Sequence, residues 1–320
     1  MAVIAVDLGG TKVAAAVIDK AGNIHHKNVA LIEGREGSDV GVLIHDQLRL
    51  LLAPGRRKKG AIEAIGVSVP GIYYAQTGRV WAPNIPGWEN YPLLAELSSK
   101  LESDSVRVTI DSDRACYILG ETWLGVARDC RNAIFVAVGT GIGAGILVDG
   151  RILRGHSDIA GAIGWLALER PFRDEYVSCG CFEYHASGEG IARVTRALAA
   201  DEAYASSPLR RLAPEALTAQ QVFEAYAKGD ALASRVVDEC VEFWGMAAAN
   251  LVSLFNPEKI IFGGGVFGPA AQFMDRIRAA ARRWAQPISI QQVSIETSAL
   301  GGDAGLLGAA SLALRSIQNL

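Results

Sequence analysis

The chain has 320 residues, of which 50% are hydrophobic and 20% are charged, and its formal net charge is −3. These values are typical of a compact globular enzyme with room for two cores, and they exclude disordered and fibrous proteins. Because the net charge is so small, there is no general attraction to nucleic acid or to anionic lipid, and neither is expected as a partner.

The N-terminal third alternates short β-branched segments with amphipathic helices. Strands are predicted over residues 3–6, 13–18, 24–31, 62–69 and 106–110. A helix is predicted over 39–53, with Ser38 as its candidate cap. Residues 78–92 contain three prolines and are expected to form an irregular loop in which Trp81 and Trp88 are exposed.

The segment 134–148 repeats the layout of the first 18 residues, a strand, a glycine turn and a returning strand, which suggests a duplicated fold. Further helices are predicted over 231–255 and 270–284 and from about 303, and further strands over 259–262 and 293–297. We predict an α/β protein in two lobes. One lobe contains residues 1–112 and the final helix, about 302–320, and the other contains residues 113–301.

Membrane insertion and secretion are not predicted. Apolar runs stay below the roughly 18 residues that span a bilayer. Met1 leads directly into an apolar segment, without a basic region or cleavage site. The five cysteines are odd in number and mostly scattered, unlike a disulfide framework. We therefore expect a cytoplasmic protein without membrane partners. The basic run Arg56-Arg57-Lys58-Lys59 is interpreted as a solvated turn after a helix.

Three glycine turns follow strands: Gly9-Gly10-Thr11-Lys12, Gly139-Thr140-Gly141-Ile142-Gly143 and Gly263-Gly264-Gly265. Glycine lets neighbouring N–H groups converge on a phosphate oxygen, although ordinary hairpins use the same residues. A carboxylate beside phosphate is repulsive without a cation, so Asp7 is expected to be a partner of Mg²⁺ through water. Lys12 could contact phosphate or simply begin a strand. The turns match neither the P-loop nor the dinucleotide pattern, which disfavours a nicotinamide enzyme.

The first two turns, with Asp7-Leu8 and Val138, resemble the phosphate motifs of the ROK sugar kinases, which belong to the actin-like/hexokinase ATPase superfamily. Val69-Pro70-Gly71 resembles the loop at the sugar site, and Ile261-Phe262-Gly263-Gly264-Gly265 resembles the adenosine-binding turn. The resemblance extends over nearly the whole chain. It implies a two-lobed actin-like (ribonuclease H-like) fold with a cleft between the lobes, ATP and Mg²⁺ as cofactors, and a homodimer.

Ile110-Asp111-Ser112-Asp113, followed by Leu119-Gly120-Glu121, resembles the segment with the family's catalytic aspartate, which implies that Asp113 is the general base. On the residues alone, this acidic segment could instead cap a helix. Glu183 matches the glutamate that binds the sugar near its anomeric end, although it could be an ordinary acidic residue in the first turn of a helix. The other substrate-binding candidates are Gly71, Asn84 and Ser112.

The sugar-reading motif departs from the family pattern. Many members carry A-G-E-x-G-H, whereas this chain reads Ala160-Gly161-Ala162-Ile163-Gly164-Trp165. The resemblance implies that the glutamate of this motif binds sugar hydroxyls and that its histidine binds both the sugar and a structural zinc. Ala162 cannot hydrogen-bond to a hydroxyl, and the Trp165 N–H cannot ligate zinc.

The zinc motif of the family departs as well. Asp174 and Tyr176 stand at two of its cysteine positions, and Cys181 alone is retained. No structural zinc is predicted. Cys179, His156 and His185 could rebuild a site around Cys181, but their spacing does not favour one.

Two explanations remain for these departures. The chain is either a sugar kinase whose substrate differs from glucose or a non-catalytic sensor of sugar or nucleotide. A 2-substituted, deoxy or amino sugar, or a cyclitol, would fit the first explanation. The presence of Asp7, Asp113, Glu183 and the glycine turns favours the kinase. A ROK repressor is disfavoured, because the first phosphate motif begins at Asp7 and leaves no room for a DNA-binding domain before it.

Overall fold

The computed structural model describes residues 2–53, 62–101 and 106–318, so the basic run at 56–59 lies outside the described residues. The chain divides into two compact units. The N-terminal unit contains Met1–Asp129, Ile152–Ala160 and Ala299–Leu320, and the C-terminal unit contains Cys130–Arg151 and Gly161–Ser298. The sequence-based boundary at residue 112 differs from this division, because the helix that begins at Asp113 packs against the final helix of the N-terminal unit.

The strands are β1 (Ala2–Leu8), β2 (Lys12–Asp19), β3 (Ile24–Leu31), β4 (Ile62–Val69), β5 (Ile72–Tyr74), β6 (Arg79–Trp81), β7 (Arg107–Ser112), β8 (Ala133–Val138), β9 (Ile142–Val148), β10 (Arg151–Ile152), β11 (Lys259–Gly263) and β12 (Ser294–Thr297). The α-helices are α1 (Ser38–Leu52), α2 (Leu93–Lys100), α3 (Asp113–Trp123), α4 (Cys181–Ala186), α5 (Gly188–Leu198), α6 (Ala219–Ala227), α7 (Ala231–Phe255), α8 (Met274–Trp284) and α9 (Ala304–Gln318).

The N-terminal unit is built on a five-stranded sheet of order β3-β2-β1-β4-β7. Its central strands are buried on both faces, which explains their nearly continuous apolar sequence. Ile4 and Val6 pack with α1 and α2 in one core, whereas Val3 and Ala5 pack with α9 in the other. Strand β7 is parallel to β4 at the edge of this sheet, and α3 begins at the residue after β7.

The C-terminal unit has a second five-stranded sheet, of order β10-β9-β8-β11-β12. Strand β8 is antiparallel to β9 and parallel to β11, just as β1 is antiparallel to β2 and parallel to β4. The matching order and directions confirm the predicted duplication. The long helix α7 ends at Phe255, and the left-handed conformation of the next residue, Asn256, terminates the helix before Pro257.

Strands 24–31 and 62–69 and the helix 231–255 have the predicted bounds. Three local predictions are wrong. Residues 78–92 are not wholly irregular, because Arg79–Trp81 form β6, which pairs with β5. Gly37, not Ser38, occupies the N-cap position of α1, because its φ of 48° suits glycine. Trp88 is fully buried, because its ring stacks on Tyr91 and its indole N–H donates to the Gly37 carbonyl.

Within residues 2–53, 62–101 and 106–318, no helix is both long enough and apolar enough to cross a lipid bilayer.

Candidate functional site

At the junction between β7 and α3, the polar residues Ser112 and Asp113 make different hydrogen bonds. Ser112 is the N-cap of α3, and its hydroxyl accepts a hydrogen bond from the Ala115 N–H at 3.3 Å. The Asp113 carboxylate accepts one from the Arg114 N–H at 2.7 Å. The capping role that the acidic segment suggested therefore belongs to Ser112, and Asp113 is not needed for it.

Asp113 is half-buried, and its surroundings change its acidity. Burial raises the pKa of Asp113 to about 6, and the negative charge of Asp7 adds to the increase. The Arg114 guanidinium and backbone N–H oppose it. A carboxyl group with this pKa is mainly ionised at pH 7 and takes up a proton more readily than an ordinary aspartate. It is therefore suited to act as a general base.

Asp111 forms an ion pair that the sequence did not reveal. Its buried carboxylate accepts hydrogen bonds from both terminal nitrogens of Arg154, at 2.9 and 2.5 Å. Burial raises the pKa of Asp111, and the hydrogen bonds from Arg154 oppose that increase. A bidentate guanidinium is the usual partner of a buried carboxylate. The pair compensates a second negative charge close to Asp113 and attaches the segment Ile152–Ala160 to β7.

Asp7 lies next to the end of β1, immediately before the first glycine turn. Burial raises the pKa of its carboxyl group, which α9 approaches closely. A Cβ on Gly305 would lie 2.3 Å from the carboxylate. Within the turn, the Gly9 N–H donates to the Lys12 carbonyl at 2.9 Å, so phosphate would have to bind at Gly10 and Thr11, which are exposed.

Two further candidate residues lie beside these elements. The Asn84 amide is 3.5 Å from the position of a Cβ on Gly10, which places Asn84 at the first glycine turn. Gly71 has a φ of 85°, and a Cβ there would lie 2.1 Å from the Trp81 carbonyl. The Gly71 carbonyl accepts a hydrogen bond from the Arg114 guanidinium at 3.1 Å. The N-terminal unit thus brings its predicted site residues into one region.

The second and third glycine turns meet at a cavity of about 1290 Å³ in the C-terminal unit. Gly139, Thr140 and Gly265 line it, together with the start of α5. The Gly188 N–H donates to the Gly139 carbonyl at 2.8 Å, which attaches the turn to α5. Nothing lies within 4 Å of a Cβ built on Gly139 or Gly265, so both turns leave room for a ligand. The cavity is large enough for a nucleotide.

Four other predicted glycines are not part of the cavity lining. Gly143 lies within β9. Gly263 and Gly264 approach Phe135 and the Val138 carbonyl so closely that a Cβ would be 2.3 and 2.5 Å away. Gly141 lies against the carboxylate of Glu183. These glycines shape the turns, whereas Gly139 and Gly265 face the empty space.

Glu183 lies in the first turn of α4, and one of its oxygens accepts the Ile142 N–H at 2.6 Å. A Cβ on Gly164 would come within 3.0 Å of the same oxygen. Burial raises the pKa of Glu183. Within the rewritten motif, Ala162 is exposed and Trp165 is 55% exposed. The second glycine turn, Glu183 and this motif are therefore neighbours.

A model of the ROK family matches residues 3–316 of the chain. This chain belongs to the ROK family. A glucokinase of Halalkalibacterium halodurans is 33% identical to this ROK chain over 310 residues, which is 95% of this chain and 92% of the relative.

Two solved structures extend the comparison. The ROK hexokinase from Thermus thermophilus has a TM-score of 0.79 and 29% identity, with 100% of both chains covered. A ROK family glucokinase from Streptomyces griseus, solved in complex with glucose and AMPPNP, has a TM-score of 0.78 and 28% identity, with 98% of this chain and 100% of that chain covered. The actin-like α/β fold expected for this ROK protein is confirmed.

Tyr176, at one of the cysteine positions of the zinc motif, belongs to a hydrogen-bonded network in this ROK protein. Tyr176 is buried, and its hydroxyl donates to Glu169 and lies 2.8 Å from Nε2 of His185. Nδ1 of His185 lies 3.0 Å from Glu239. Within the described residues, no three His, Cys, Asp or Glu side chains are grouped so as to hold a metal ion. Sequence reasoning missed this network, because its members come from separate segments.

Proposed function

We propose that this ROK protein is an ATP-dependent sugar kinase, which transfers the γ-phosphate of ATP to a hydroxyl of a hexose or hexose-like substrate. The observation that carries the proposal is Asp113. It is a carboxylate at a strand–helix junction, its pKa is raised to about 6, and its position matches the ROK catalytic motif. Family membership and the fold support the same reaction class.

The residues present fit the phosphoryl donor. In the C-terminal unit, the cavity beside Gly139, Thr140 and Gly265 would take the nucleotide. In the N-terminal unit, the N–H groups of Gly10 and Thr11 would hold phosphate oxygens, and Asp7 would hold Mg²⁺ through water. A cation is required there, because an ionised Asp7 would otherwise repel phosphate. When bound, Mg²⁺ neutralises negative charge on the phosphates.

The substrate hydroxyl loses its proton to Asp113 while its oxygen forms a bond to the γ-phosphorus and the bond to the β-phosphate oxygen breaks. Glu183 orients the sugar through the carboxylate oxygen that does not accept the Ile142 N–H. Gly71, Asn84 and Ser112 complete the proposed substrate-binding set, and Lys12 stays a candidate phosphate contact.

The rewritten motif limits the choice of sugar. Ala162 offers no hydrogen bond, and Trp165 presents an exposed apolar face that suits stacking. The proposed substrate therefore differs from glucose in the hydroxyls that this motif would otherwise bind. A 2-substituted, deoxy or amino sugar, or a cyclitol, meets this condition. The proposal also includes a cytoplasmic location and a homodimer, and light scattering of the purified protein would test the homodimer.

The test is ADP release over a panel of hexoses, N-acetyl and amino sugars, deoxy sugars and cyclitols, with Asp113→Asn measured beside the wild type. Turnover with one substrate class, lost in Asp113→Asn, supports the kinase and names its substrate class. ATP binding without turnover across the panel contradicts the kinase and favours the non-catalytic sensor.

A further inference from the structure

His185 is a buried titratable residue that the proposed reaction does not use. Only 3% of its surface is exposed, and its ring stacks on Phe243 at a centroid distance of 4.4 Å. Both ring nitrogens have partners. Nδ1 lies 3.0 Å from Glu239 on α7, and Nε2 lies 3.0 Å from Glu169 and 2.8 Å from the Tyr176 hydroxyl.

These contacts join three parts of the C-terminal unit. Glu169 and Tyr176 belong to the segment 166–180, which contains only one short 3-10 turn, Asp174–Val177. His185 belongs to α4, and Glu239 to α7. We call the four residues Glu169, Tyr176, His185 and Glu239 the His185 clasp. His185 and Tyr176 are buried, whereas Glu169 and Glu239 are partly exposed. Removing a partner of His185 would therefore leave a buried ring nitrogen with fewer hydrogen bonds, which is costly.

The His185 clasp contacts α4, a helix too short to be stable without tertiary contacts. Helix α4 has 6 residues, Cys181–Ala186, which is far below the length at which an isolated helix is stable. Its other attachments include the Trp244 indole N–H, which donates to the Ala186 carbonyl at 3.1 Å. The orientation of α4 therefore depends on its side-chain contacts.

Glu183 is on the same short helix, two residues before His185. Its carboxylate accepts the Ile142 N–H at 2.6 Å, so a small rotation of α4 would break this contact and move the free oxygen. Hydrogen-bond geometry changes steeply with such displacements. Helix α4 is thus attached through His185 to α7 and to the segment 166–180, and through Glu183 to β9.

We propose that His185 is a positioning residue for Glu183, and that the His185 clasp holds α4 in the orientation in which Glu183 binds the substrate. This inference rests on the proposed function, because it assigns the effect to the sugar contact of Glu183. The clasp does not touch the reacting atoms.

The test compares His185→Phe, which keeps the stacking ring and removes both nitrogens, and Glu239→Gln, which keeps an acceptor and removes the charge. The matched control is Glu242→Gln, on the same helix but paired with Arg283 at the surface. We expect KM for the sugar to rise by about 10- to 100-fold in His185→Phe and less in Glu239→Gln. KM for ATP and the control should stay within about twofold of the wild type.

A double-mutant cycle separates positioning from general damage. If His185 acts through Glu183, His185→Phe should change the sugar KM little in a Glu183→Ala background. Equal effects in both backgrounds, or a loss of active protein at unchanged KM, would overturn the proposal.

Hydrogen exchange of the full chain gives a readout that does not require turnover. Amides in 166–186 should exchange faster in His185→Phe than in Glu242→Gln, and equal protection would also overturn the proposal. If the wild type phosphorylates nothing in the panel, the kinase proposal fails, while the exchange result still decides whether the clasp holds α4.

Discussion

The two five-stranded sheets have the same strand order, yet their first glycine turns differ in chemistry. In β1, Asp7 stands two residues before Gly9, whereas in β8 the equivalent position before Gly139 is Ala137. The strand–glycine turn–strand layout is thus present twice, but a carboxylate precedes the glycines only in the first of these two turns. The comparison teaches that one strand-and-turn backbone can carry different side chains, and under the proposed function only the turn after Asp7 would also bind a cation.

The carboxyl groups at the outer strands β7 and β12 differ in acidity. Asp113 follows β7, and its pKa is raised by burial and by Asp7. Glu296 lies in β12, and its pKa is lowered by hydrogen bonds from Ser294 and Lys259. A carboxyl group with a raised pKa can exchange a proton near neutral pH, whereas one that is stabilised as an anion is a structural ion pair.

The largest effect should come from removing the base. Asp113→Asn keeps the shape of the side chain but cannot accept the proton, so kcat should fall by about 10²- to 10⁴-fold. Glu296→Gln is the matched control in the other sheet and should leave kcat within about twofold. Steady-state kinetics with the best panel substrate, together with ATP binding by calorimetry, would check both. An unchanged kcat in Asp113→Asn would show that Asp113 is not the general base and does not differ from Glu296 in this respect.

A second prediction concerns the carboxylate before the first turn. Gly305→Ala places a Cβ 2.3 Å from the Asp7 carboxylate, so Asp7 must move. Alanine favours a helix by about 0.5–1 kcal/mol over glycine, which offsets part of the strain. We therefore expect kcat to fall about 10- to 100-fold with a small change in Tm. Measuring the dependence of the rate on Mg²⁺ concentration would show whether the loss arises at the proposed cation site.

The corresponding change in the other unit should act on the nucleotide instead. Gly264 has a φ of 92°, and a Cβ there would lie 2.5 Å from the Val138 carbonyl. Gly264 has ψ 174°, a backbone region that is essentially restricted to glycine, so Gly264→Ala costs about 1–3 kcal/mol through its backbone conformation alone. It should raise KM for ATP about tenfold while kcat changes less. Gly229→Ala, which also has positive φ but no neighbour within 4 Å, controls for the backbone strain.

The sequence predicted regular elements well where one physical signal was dominant. The alternating pattern of 24–31, the apolar run 62–69 and the helix stop at Asn256-Pro257 each depend on a few neighbouring residues, and their bounds agree with the structure. The glycine turns could likewise be located from their position after strands. Whether the site residues perform the assigned roles stays a prediction.

Contacts between distant segments could not be predicted from the same signals. Arg154 pairs with Asp111 across 43 residues, and His185 reaches Glu239 across 54. An isolated Arg or His in a sequence does not indicate its partner. Trp88 shows the opposite error, because the surrounding prolines suggested an exposed loop while stacking on Tyr91 buries the ring. For Arg154 and His185 there is no local signal for the partner, and for Trp88 packing overrides local composition.

The smallest predicted effect is a decrease of kcat at low pH, which follows from the raised pKa of Asp113 and is not expected from Glu296. Only ionised Asp113 can accept a proton, so kcat should decrease below the pKa of about 6 and be roughly tenfold lower at pH 5 than at pH 7. The folded pKa is higher than the ordinary value of about 3.9, so protonation of this group favours the folded state as pH falls from about 6 toward 4. The lost activity at pH 5 should therefore not be accompanied by unfolding that Asp113 causes. Circular dichroism beside the rate measurement would check this, and an acidic limb that Asp113→Glu leaves unmoved would assign the titration to another group.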